Sequence, residues 1–178
     1  MDIFIEQLVI KKKTAASYAI IFACLVGTFA VLFLFTGFLF PLLAMVPGMG
    51  GLAVLICFGL IWFLYRIITN TNAEYEYCFT NGALDVDKIL NRRKRKRIAD
   101  LNARTIEKMA SAKDPEFARL MQDSAIKKVY ACSHKDAEDL YYILYEGAKG
   151  RSVLLFNPNE KIKDGFRRFN PKKVFLDA

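Results

Sequence analysis

The chain is 178 residues long and 54% hydrophobic, with 26 Lys and Arg against 18 Asp and Glu for a formal net charge of +8. That length holds one ordinary domain and something besides. A chain both basic and apolar points to a membrane protein and away from a nucleic-acid binder, whose charge would spread over a polar surface.

The opening stretch "MDIFIEQLVI" mixes Ile3, Phe4, Ile5 and Leu8 with the acids Asp2 and Glu6 and reads as an interfacial helix running into a first membrane span. From Thr14 to Tyr65 there is no Asp, Glu, Lys or Arg across 52 residues. A spanning helix needs only about 20 apolar residues. The stretch therefore predicts two spans, roughly 16–40 and 51–68, broken at "PLLAMVPGMGG", where Pro41, Pro47 and three glycines interrupt the pattern. The first run is far longer than the ~7–15 residues of a signal-peptide core. A buried helical pair in a soluble protein would need charges on its outer face, and this one has none. Lys11, Lys12, Lys13 and Arg66 flank the spans, and the turn between them is uncharged. The positive-inside rule then puts both termini in the cytosol, with the chain integral to the cytoplasmic membrane. The expected organisation is a membrane-anchoring helical hairpin over residues 1–72 and a cytosolic domain over 73–178.

Beyond residue 72 the composition becomes mixed and turn-rich. From Glu74 onward 22 basic and 16 acidic residues leave a net +6, which the run Arg92, Arg93, Lys94, Arg95, Lys96 and Arg97 supplies alone. The positive charge of this domain is therefore local. "EYEYCFT" alternates Glu74 and Glu76 with Tyr75, Tyr77 and Phe79, a half-buried strand. Asn81-Gly82 is a strong hairpin signal and leads into "ALDVDKI". The basic run leaves neither face of its strand for a core, so it is expected at an edge or in a projecting loop. "ARTIEKMA" predicts a further strand. In "DPEFARLMQ", Asp114 is a helix N-cap with Pro115 at the first helical position. "KKVYACS", "DLYYILYEG" and "RSVLLFN" are three more strands, the last two joined by a turn from Gly147 to Gly150. In the closing segment Asn157 and Glu160 have capping-box spacing. Ile162, Phe166 and Phe169 then make one apolar helical stripe, weakened by Gly165. The pattern is α+β: about seven strands, a short inserted helix and a terminal helix.

The stretch "YEYCFTNGALDVDKILNRRKRKRIADL" resembles the opening of bacterial PH-like (pleckstrin-homology-like) domains placed after a membrane hairpin. From "MDIFIEQLV" through "LLFNPNEKI" the whole chain resembles a family of small bacterial two-helix membrane proteins with a C-terminal PH-like domain. The resemblance implies a transmembrane helical hairpin followed by a seven-strand PH-like β-sandwich or barrel with a C-terminal helix, and it supplies no catalytic residues.

The residues themselves offer no active site. The single histidine, His134, has no Gly-x-Ser-x-Gly or His-Glu-x-x-His context. Asp136, Glu138 and Asp139 beside it read as a solvated turn and not a metal site. Cys24, Cys57, Cys78 and Cys132 form no Cys-x-x-Cys pair and read as apolar fillers in a reducing compartment. "GMGG" lies in the turn between spans, away from any strand-to-helix phosphate loop. No enzyme, cofactor or metal is expected. The reading is a membrane-anchored interaction or scaffolding module, with a subunit of a membrane transport or signalling complex as the alternative. Arg92 to Arg97 are the candidate contacts to anionic lipid headgroups or to a protein partner. Gly27, Gly37 and Gly59 would permit self-association of the spans. Nucleic acid is disfavoured, because no aromatic platform interleaves with the basic strip.

Overall fold

A computed structural model describes residues 3–13, 15–46, 50–70, 73–135, 137–147 and 150–176. The chain forms two compact units, Met1–Lys12 together with Ala73–Ala178, and Lys13–Asn72. This division corrects the expected organisation. The N-terminal stretch is not an interfacial helix but strand β1, Phe4–Ile10, paired antiparallel with β2, Ala73–Thr80. The apolar helical segment therefore starts after Lys12 and is inserted into the sheet-forming unit, so the 1–72 boundary assigns β1 to the wrong unit. The physical reason is period two. Ile5, Gln7 and Val9 turn toward the core while Phe4, Glu6, Leu8 and Ile10 face out, and β2 satisfies the backbone groups that a lone segment would leave open.

In the Lys13–Asn72 unit, α1 (Ala15–Leu34) passes through a π-helical turn over Phe35–Leu39 into α2 (Phe40–Ala44). Pro41 has no N–H to donate and its ring crowds the carbonyl one turn back, and the widened turn just before it absorbs that mismatch. Ala15–Leu43 is one run of 29 residues, long and apolar enough by length and composition to cross a membrane, and its side chains are almost all exposed. After the connecting residues comes α3, Gly50–Asn70, which contacts α1 and α2 and holds a shorter apolar stretch, Val54–Thr69. The hydroxyls of Thr36 and Thr69 bond back to the carbonyls of Leu32 and Tyr65 at 2.8 and 2.9 Å, which hides their polarity inside the helices. Pro47, one of the expected break signals, lies outside the described residues.

In the other unit, β1, β2, β3 (Ala83–Leu90) and β4 (Lys94–Asn102) form an antiparallel sheet in that order. The second sheet has the order β6-β8-β7-β5-β9, built from β5 (Lys108–Ser111), β6 (Lys127–Ala131), β7 (Tyr141–Gly147), β8 (Gly150–Phe156) and β9 (Val174–Phe175). Nine strands are described where about seven were expected, β1 and the two-residue β9 being the additions. The strand expected over "ARTIEKMA" begins only at Lys108. Asn102 accepts from the backbone N–H of Arg104 at 3.0 Å and holds residues 103–105 in a turn. Asn81 and Gly82 both have positive φ, as their hairpin turn requires. The turn expected from Gly147 to Gly150 has its two central residues outside the described set, while Gly147 and Gly150 pair across it.

The first sheet is apolar on one face, and its strands alternate. The second is buried on both, which explains the unbroken apolar runs "YYILY" and "SVLLF". One of its faces meets the first sheet and α5 (Glu160–Phe169), around Tyr77, Phe79, Phe156, Ile162 and Phe166. The other is covered by α4, Pro115–Gln122, through Phe117, Leu120 and Met121. As expected, Asp114 caps α4, accepting from the Glu116 N–H at 2.8 Å. At α5 the cap is Asn159, which accepts from the Ile162 N–H at 2.9 Å, and not Asn157.

Asn157 has a different role. Buried beside the start of α5, its side chain accepts from the Ser133 N–H at 2.8 Å and donates to Asp139 at 3.0 Å. Its carbonyl accepts from the Gln7 amide of β1 at 2.8 Å, and its N–H donates to the Tyr77 hydroxyl, which in turn donates to the carbonyl of Ala131. One buried residue thereby ties β1 and β2, through its backbone, to the end of β6, through its side chain.

Candidate interaction surface

The basic run divides between a turn and an edge strand. Asn91 and Arg92 both take positive φ, 50° and 54°, and the N–H of Arg93 donates to the carbonyl of Leu90 at 3.1 Å. Two successive left-handed residues suit the right-handed twist of a tight hairpin. Asparagine adopts that conformation readily, whereas arginine adopts it only with steric strain. Lys94 to Arg97 then form the first half of β4, an edge strand of the first sheet.

Register separates the six cations into two sets. Arg95 lies opposite Ile89 and Arg97 opposite Asp87, on the outward face. Arg95 reaches across β3 to clasp Glu76 of β2, its two terminal nitrogens at 2.9 and 2.8 Å from the two carboxylate oxygens. Its stem must pass over Ile89, which is 7% exposed although it faces outward. Arg97 lies 3.2 Å from Asp85 and 3.5 Å from Asp87, and Arg92 lies 3.4 Å from Glu74. Burial raises the Glu76 carboxyl above its ordinary value, Arg95 pulls it back, and a hydrogen bond with Glu6 of β1 adds to the rise. These three arginines therefore neutralise a carboxylate ladder on the sheet.

Arg93, Lys94 and Lys96 form the other set. They are exposed, and among the described residues no acid lies within ion-pair distance of them. Alternation puts Lys94 and Lys96 on the face opposite Arg95 and Arg97, Lys94 opposite Leu90 and Lys96 opposite Lys88. The sequence treated the six as one strip. It could not separate them, because the acids that claim three of them are 10 to 20 residues away in the chain.

The register also brings in neighbours that the sequence pattern left apart. The Lys11 N–H donates to the carbonyl of Ala73 at 3.0 Å, Ala73 pairs with Leu90, and Leu90 pairs with Lys94. Lys12 is fixed by its N–H to the carbonyl of Ser133 at 2.9 Å. Lys11 and Lys94 therefore end the same cross-strand row. The signal that could have shown this is the alternation in "FIEQLVI", which marks β1 as a strand.

A second polar cluster lines a cleft of about 530 Å³ against α4. There the Lys108 ammonium sits 2.6 Å from Asp114 and 2.7 Å from Glu116, and Arg151 pairs with Glu107 at 2.6 Å. Its charges neutralise one another, and the cluster holds α4 to the sheet. His134 bonds the hydroxyl of its neighbour Ser133 at 3.0 Å, and Asp136 lies outside the described residues. Among the described residues no three His, Cys, Asp or Glu side chains gather as a metal site, and all four cysteines are free.

A family model described as a bacterial PH-like domain (DUF6106) matches residues 1–176. The chain belongs to that family. Its match includes β1 and the apolar helices, so in this bacterial PH-like protein the helical insertion falls within the family's own span. No curated protein and no solved structure matches the chain.

Proposed function

We propose that this bacterial PH-like protein is a membrane-anchored interaction module and not an enzyme. In this reading α1 and α3 cross the cytoplasmic membrane as a hairpin, and the PH-like unit stands on the cytosolic side. There it docks on anionic lipid headgroups or on a protein partner through the basic turn and edge strand. The observation that carries the reading is the insertion itself. Strand β1 precedes the apolar helices and β2 follows them, yet the two pair along their whole length, with Lys11 and Ala73 joined by a backbone hydrogen bond. A segment whose two flanks belong to one folded sheet must return to the side it left, so it crosses an even number of times. The length and purity of the apolar stretch support two crossings, and Lys11 to Lys13, Arg66 and the basic run support the cytosolic side.

Thiol labelling of intact cells with a membrane-impermeant reagent tests this, in a chain whose four native cysteines are replaced by serine. A cysteine in place of Met45, between the helices, should label from outside. Cysteines in place of Asp2 and Ala178 should label only after the cells are opened. Labelling of either terminus in intact cells overturns the orientation.

A further inference from the structure

The last cross-strand row of the first sheet runs Lys11, Ala73, Leu90, Lys94, and the chain departs for its apolar helices just after Lys12 and returns from them at Ala73. Three interstrand steps separate the ends of that row, about 15 Å. Lys11 and Lys12 stand exposed at one end, and Arg93, Lys94 and Lys96 at the other. The nearest row's acid, Glu74, is already held by Arg92, and Asp139 is held by Asn157. Resting on the membrane reading above, we propose that these five cations form one platform that binds the anionic headgroups of the leaflet into which the helices insert. The occupant is set by connectivity. Both chain crossings leave the domain at this row, so headgroups are the anions held within reach of it at all times, whereas a soluble anion would have to compete from dilution. The strained conformation of Arg92 fits the same role. Glycine would make the turn with less strain, but the arginine neutralises Glu74, leaving the neighbouring cations free to face lipid.

The full chain is reconstituted into vesicles of phosphatidylcholine alone and into vesicles with added phosphatidylglycerol. Acetylation of its lysines by a water-soluble reagent is followed by mass spectrometry and normalised to Lys161 and Lys172, on and beyond α5. Lys94 and Lys96 should react at least about tenfold more slowly in the acidic vesicles, and molar salt should abolish the difference. In a chain carrying Arg93→Ser and Lys96→Ser, Lys94 should recover most of its reactivity. Equal rates in the two vesicle types, in a chain that resists alkaline carbonate extraction, overturn the platform and leave the anchor standing. Unchanged shielding of Lys94 in the double variant also overturns it. A chain stripped from both vesicles by carbonate overturns the anchor and the platform together.

Discussion

Gly165 of α5 lies against the ring of Phe79 so closely that a Cβ built on it would stand 2.7 Å from Cε1. Phe79 is fully buried, with the rings of Phe166 and Phe169 centred 5.0 and 6.0 Å away, and has no room to retreat. Alanine ordinarily gains about 1 kcal/mol over glycine inside a helix, but overpacking a tight core costs about 1–3 kcal/mol. The clash should win. Gly165→Ala should lower the unfolding midpoint, and a raised midpoint would show that α5 can lift off the sheet at little cost.

The Asn157 amide is the second point of leverage. Asn157→Ala leaves the half-buried Ser133 N–H without its acceptor and Asp139 without its donor. The expected loss is about 1–3 kcal/mol in urea unfolding. Hydrogen exchange should rise at Ser133 and its neighbours after β6 before it rises at β7. Uniform acceleration across the unit would mean that Asn157 is only one contact among many.

Because Lys11 and Ala73 are already hydrogen-bonded, a short Gly-Ser loop should replace residues 13–72 without disturbing either sheet. Such a chain should be soluble and unfold in one cooperative transition. The fragment 73–178 loses β1, exposes the edge of β2, and removes Ile3, Ile5 and Val9 from the core margin. It should melt at least about 10 °C lower or aggregate through the open edge. Equal melting of the two would demote β1 to a surface ornament.

The contact between Lys108 and Asp114 should show in the pH dependence of that loop-closed chain. The hydrogen bond from Lys108, followed by that from the Glu116 N–H, holds the Asp114 carboxyl below its ordinary 3.8. A depressed folded value stabilises the fold above pH 3.8 and loses that contribution as pH falls through it. Burial pulls the Lys108 ammonium down, but its bonds to Asp114 and Glu116 outweigh this and leave it above its ordinary 10.5. That contribution is present below pH 10.5 and is lost as pH rises through the raised value. Asp114→Asn should therefore flatten the acid limb of stability below about pH 4, measured by urea midpoints at stepped pH. Acid limbs of equal slope in the two chains would count against the contact.

What the sequence determined by itself is local. The charge-free stretch from Thr14 to Tyr65, the Asp114 cap, the Asn81-Gly82 turn and the stripe of Ile162, Phe166 and Phe169 are each written within a few turns of chain. Periodicity, capping and hydrophobic length act over that range. Tertiary structure decided what depends on distant partners. "FIEQLVI" has the alternation of a strand, but a lone strand leaves its backbone groups unpaired, and it became β1 because β2, more than 60 residues later, offers it a ladder of hydrogen bonds. Arg92 to Arg97 look equivalent in the chain, and Glu74, Glu76, Asp85 and Asp87 divide them only once the strands lie side by side. Lys11 comes onto one row with Lys94 through pairing register alone. An ion pair or a shared row is a relation across a sheet, and its partners take their places only when the sheet closes.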